Sequence, residues 1–96
     1  MSYNVFTKVV NCTFGFRECL LLIKLAEETE CRIELHVNGK VGSTDSILSL
    51  VQLGIIPNTI VAFSIKGENQ VECIHSIVTL FEEGWQNAFS ELITLN

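Results

Sequence analysis

The chain has one proline, six glycines and only 18% charged residues, and each scarcity excludes something. No stretch is rich enough in proline or glycine to act as an interdomain linker, and no internal repeat or low-complexity segment interrupts the sequence. With 48% hydrophobic residues and a mean hydropathy of +0.39, the composition is too apolar for disorder. Long hydrophobic runs are also missing: the longest, Cys19–Ile23, falls far short of the roughly 18 residues a membrane-spanning helix needs. Basic residues are few, 6 against 11 acidic, for a net charge of −5 and a pI near 4.8. That leaves no cationic footprint for a phosphate backbone and excludes nucleic acid as a direct partner. The first residues, Met-Ser-Tyr-Asn-Val-Phe-Thr-Lys, lack the basic segment and apolar block of an export signal, so a cytoplasmic location is expected, with no membrane association.

Four cysteines are present, Cys12, Cys19, Cys31 and Cys73, but no two have the C-x-x-C spacing of a metal knuckle. None sits beside a histidine or basic cluster that would activate a thiolate. In a reducing compartment they read as small buried hydrophobes, and no metal or other cofactor is expected.

At 10.7 kDa a single domain can bury about two-thirds of its unfolded surface. Hydrophobic periodicity divides the chain. Asn4–Val10 alternates as a strand. Phe16–Thr29 reads as a helix whose apolar face is Phe16, Cys19, Leu20, Ile23 and Ala26, with Lys24, Glu27 and Glu28 opposite. Arg32–Val37 alternates cleanly, Ile33, Leu35 and Val37 against Arg32, Glu34 and His36. Asn38-Gly39 predicts a type I′ hairpin turn into Lys40–Ser43, because both central residues of that turn need positive φ. Ser43-Thr44-Asp45-Ser46 supplies cap residues for a short helix carrying Ile47, Leu50, Val51 and Gly54. Ile60–Lys66 is a further strand, and Gln70–Glu83 a second long amphipathic helix with Val71, Ile74, Ile77, Val78 and Phe81 facing the core. This order predicts an α+β fold with helices layered on one face of a mainly antiparallel sheet.

Ser46 is the most informative position. It is an ordinary N-cap, which stabilises a helix by about 1 kcal/mol. A serine there is also well placed to carry a phosphate, since free N–H groups and the positive end of the helix dipole favour the added charge.

The segment Ser46-Ile47-Leu48-Ser49-Leu50-Val51-Gln52-Leu53-Gly54-Ile55 resembles the regulatory-serine helix of HPr, the small phosphocarrier of the bacterial sugar phosphotransferase system. The likeness runs from about Val5 to Glu83 and includes the Asn38-Gly39-Lys40 hairpin and Arg17 early in the first long helix. It implies the HPr-like open-faced sandwich: a four-stranded antiparallel sheet of order 1-4-2-3 covered by three helices, βαββαβα. The resemblance also locates what is missing. The family's phosphoryl-accepting histidine falls where this chain has Gly15, and the family's proline where it has Glu18. Glycine offers no nucleophile, and Glu18 adds negative charge where an incoming phosphoryl group wants positive charge. His36 and His75 lie elsewhere in the topology and read as surface residues.

A chain without that histidine but with Ser46 is similar to catabolite-repression HPr-like proteins. In them the serine is phosphorylated by the HPr kinase/phosphorylase, and the product is corepressor for a LacI-type catabolite control repressor. The expectation is therefore a non-catalytic regulatory protein with no catalytic residue, Ser46 as its phosphorylation site, and a partner-binding surface of Phe16, Arg17, Ile47, Leu48 and Val51. Asp45, directly before Ser46, could weaken kinase recognition or act as a fixed negative charge. Two alternatives stay open: a phosphocarrier of the phosphotransferase system using another acceptor, and a structural or assembly module. The expected domain is residues 1–84; the remainder, 85–96, is a tail that carries Trp85, Phe89, Leu92 and Ile93 at helical spacing. That stripe either folds back on the domain or offers a homodimer contact.

Overall fold

Four strands and three helices follow one another as β1 (Asn4–Val9), α1 (Phe16–Thr29), β2 (Cys31–Val37), β3 (Lys40–Ser43), α2 (Ile47–Val51), β4 (Ile60–Gly67) and α3 (Gln70–Glu83). The computed structural model describes residues 4–85. The strands form one antiparallel sheet of order β1-β4-β2-β3, as the resemblance implied. No helix among the described residues is long and apolar enough to cross a membrane.

Alternation decides which sheet face the helices cover. Ile33, Leu35 and Val37 of β2 and Val61, Phe63 and Ile65 of β4 are buried, while their neighbours Arg32, His36 and Lys66 stay exposed on the open face. β2 turns into β3 through Asn38 (φ 50°) and Gly39 (φ 80°), the two positive angles that a type I′ turn requires. α2 lies so close on β3 that a Cβ at Gly42 would sit 2.6 Å from the Ser49 carbonyl oxygen. Only glycine admits that approach.

The buried face of α1 differs from the one its periodicity predicts. Cys19, Leu21, Leu22, Leu25, Ala26 and Thr29 are buried, whereas Phe16 and Leu20 are 59% and 44% exposed. Five consecutive apolar residues, Cys19–Ile23, satisfy several helical faces at once, so packing against β2, α2 and α3 selects the face. Val71, placed on the core face of α3 by the same reasoning, is 80% exposed, while Cys73 and Ile77 take the buried face. Thr29, the one buried polar residue among those described, donates its hydroxyl to the Leu25 carbonyl at 2.8 Å.

An aromatic chain crosses the interior. Phe6 stacks on Phe63 (centroids 5.1 Å apart), Phe63 meets Phe81 edge-on at 5.8 Å, Phe81 meets Trp85 at 5.4 Å, and Trp85 meets Phe14 at 4.8 Å. Trp85 is thus packed into the core cluster beside α1. The rest of the predicted apolar stripe, Phe89, Leu92 and Ile93, lies outside the described residues.

Candidate functional site

Two chain segments converge beside α1: its own first turn, and α2 with the loop before it. Val10, Phe14 and Ile55 bury the connections, and the Phe14 amide donates to the Ile55 carbonyl at 3.0 Å. Phe14 is fixed from behind by Trp85, so the residue that follows, Gly15, is held at the exact point where α1 begins.

Gly15 is the N-cap of α1, with φ −94° and ψ −160°, extended backbone open to any residue. Its amide donates to Glu18 Oε1 at 2.9 Å. This is half of a capping box; the reciprocal half needs a side-chain oxygen at the cap, which glycine lacks. A Cβ at Gly15 would meet only that Glu18 oxygen, at an ordinary 3.7 Å. Space and backbone would both accept a larger side chain. Nothing at position 15 can attack a phosphorus centre, and the carboxylate of Glu18 occupies the amide nearest to it. The same carboxylate, second to burial, raises the thiols of Cys12 and Cys19, the latter to about 11, so neither supplies a thiolate at neutral pH.

Ser46 is the exposed N-cap of α2, its hydroxyl oxygen accepting from the Ser49 amide at 3.3 Å. Ser49 in turn knits α2 to the end of β3: its Oγ accepts from the Ser43 amide (3.0 Å) and lies 2.7 Å from the Ser46 carbonyl oxygen. Asp45 is committed to Arg32, whose Nε donates to Oδ2 at 2.6 Å. Arg32 Nη1 also reaches Glu34 at 2.6 Å, and Glu34 lies 3.3 Å from His36 Nε2. The Asp45 hydrogen bond is the largest influence on Arg32, raising its pKa further and keeping the guanidinium charged. A row of alternating charges therefore runs from the loop before Ser46 across the open sheet face.

The expected binding residues separate into two groups. Phe16, Arg17 and Leu48 are exposed, Leu48 by 62%. Ile47 and Val51 are half-buried and pack against the core. Leu20 extends the exposed apolar ridge one turn beyond Phe16, and its spacing of four residues was the signal that could have placed it there. Ile56, just after α2, is 60% exposed. His36 lies on the open sheet face and His75 is exposed on α3. Arg32 was the residue that sequence reasoning missed; thirteen positions separate it from Asp45, and no local pattern links them. Among the described residues no group of three or more potential metal ligands forms.

Similarity to known proteins points the same way. Among curated proteins none matches the chain. The crystal structure of HPr-C-His from Thermoanaerobacter tengcongensis matches with a TM-score of 0.74 at 22% identity, over 86% of this chain and 96% of that one, a likeness of fold. A family model described as the PTS HPr component phosphorylation site matches residues 15–83, beginning at Gly15 and spanning α1 to α3. The chain therefore belongs to the HPr family of the phosphotransferase system, with glycine at the position that the family resemblance assigns to the phosphoryl-accepting histidine.

Proposed function

We propose that this is a non-catalytic, regulatory member of the HPr family that acts by binding proteins rather than by carrying phosphoryl groups on histidine. The observation that carries this reading is the start of α1: Gly15 has no nucleophile, and Glu18 closes on its amide. Binding would use the exposed apolar ridge of Phe16 and Leu20 with Leu48 of the adjoining helix, rimmed by Arg17. Aromatic and aliphatic anchors surrounded by polar groups are the common composition of such surfaces.

Ser46 is the regulatory position. Phosphorylation by an HPr kinase/phosphorylase would add charge beside Leu48 and set affinity for a LacI-type catabolite control repressor or a phosphotransferase component. Asp45 is paired with Arg32, which weakens it as a stand-in for that phosphate. Its engagement with Arg32 also lowers the repulsion an added phosphate would meet.

Two incubations test the reading. With phosphoenolpyruvate and the general phosphotransferase enzyme, the protein should acquire no acid-labile phosphate; any such phosphate would show a carrier. With HPr kinase/phosphorylase and ATP, mass spectrometry should find one phosphate on Ser46; an unchanged mass would remove the phosphoserine step.

A further inference from the structure

The turn between α1 and β2 brings two distant cysteines together. The Thr29 carbonyl oxygen accepts from the Asn69 amide (3.3 Å), from Asn69 Nδ2 (3.2 Å) and from Cys31 Sγ (3.4 Å). Asn69 is the N-cap of α3, and the Cys73 amide donates to the Asn69 carbonyl at 3.0 Å, which sets Cys73 one helical turn beyond the residue that binds the Thr29 carbonyl. Cys31, the first residue of β2, is half-buried; Cys73 is fully buried. Cys31 Sγ therefore sits at the carbonyl that anchors the start of α3, with Cys73 one turn along that helix. Burial first pushes the Cys73 thiol up to about 11; Thr29 opposes this, and the charge and hydrogen bond of Cys31 add to it. Cys12 and Cys19 share only the influence of Glu18.

We propose that Cys31 and Cys73 form a reversible intramolecular disulfide under peroxide, with Cys31 as the reacting thiol and Cys73 as the resolving one. Exposure assigns these roles, since oxidant reaches β2's first residue and not the interior of α3. The Cys31 sulfur, giving up its proton, attacks one peroxide oxygen; the O–O bond breaks and hydroxide leaves, taking up a proton to become water. Cys31 is then a sulfenic acid. The Cys73 sulfur, giving up its proton, attacks the Cys31 sulfur; the S–S bond forms, the S–O bond breaks, and a second water departs. Two thiols lose two electrons, and one peroxide becomes two waters. The bond ties α3 to the strand end that carries Arg32, whose guanidinium holds Asp45.

The test uses the full chain, folded and reduced, then exposed to hydrogen peroxide, alkylated at remaining free thiols and digested with trypsin without reductant. Each cysteine falls in a separate tryptic peptide, Cys31 in 25–32 and Cys73 in 67–96. The expected product is a 25–32/67–96 linked peptide that dithiothreitol separates, with Cys12 and Cys19 alkylated. Oxidised protein should also melt above reduced protein, and Cys31→Ser should abolish both the link and the shift. In Cys73→Ser, Cys31 should persist as a sulfenic acid trapped by dimedone. Links scattered among all four cysteines, a bond between two chains through Cys31, or four alkylated cysteines after peroxide would each overturn the proposal. The conservative Cys31→Ser change, at a half-buried position, keeps the test decisive if Cys73→Ser does not fold.

Discussion

Arg32 shows how little a conspicuous contact can be worth at the scale of one residue. It makes two 2.6 Å ion pairs, yet its own side chain is 49% exposed and that of Asp45 is 66% exposed. Water screens both, so Arg32→Ala should cost under about 1 kcal/mol in urea unfolding. A loss of several kcal/mol would mean that the charge row across the sheet is a cooperative unit. Buried thiols behave differently. Cys19 and Cys73 are both raised to about 11 from an ordinary 9.0, so each neutral thiol favours the folded state. Their contribution is complete below pH 9 and is lost as pH rises toward 11, at about 1.4 kcal/mol per thiol for each pH unit in that window. Melting temperature should hold level to pH 9 and then fall, and Cys19→Ala should flatten that fall.

The tightest constraint among the secondary-structure elements is α2 lying on β3. Gly42→Ala would drive a methyl group to 2.6 Å from the Ser49 carbonyl and 3.0 Å from Leu53 Cδ1, and the backbone atom cannot rotate away. A loss of about 1–3 kcal/mol is expected, read as a lowered urea midpoint at unchanged slope. That contact is invisible in the sequence, where Gly42 sits in an ordinary strand. What was legible is what local chemistry dictates. α1 and α3 span the residues their periodicity predicts, Asn38-Gly39 makes the predicted turn, and the alternation in β2 names its buried face. What required the structure is what other elements impose: which face of α1 is covered around its apolar run Cys19–Ile23, the exposure of Val71, and the partnership of Arg32 with Asp45. The site divides the same way. Gly15 and Ser46 are readable as positions, whereas Glu18 closing on the Gly15 amide and the meeting of Cys31 and Asn69 at the Thr29 carbonyl arise from folding.

Across the whole molecule, the aromatic chain from Phe6 to Phe14 connects the sheet to the start of α1. Phe63 is its junction, fully buried and in ring contact with both Phe6 and Phe81. Phe63→Ala should cost about 3–5 kcal/mol, a large part of the total stability of a domain this size, and circular dichroism would show a sharply lowered melting temperature. Next to last in that row of rings stands Trp85, the sequence's single tryptophan, buried with its ring against Phe14, the residue before Gly15. Its indole nitrogen has no hydrogen-bond partner among the described residues, and the buried ring should emit at the blue end and respond to any polar neighbour. The protein thus carries its own optical gauge, one ring away from Gly15, the position that the family resemblance assigns to the phosphoryl-accepting histidine. A protein that docks on Phe16 should change the colour or yield of that light, and titrating emission against partner would measure docking with no label attached.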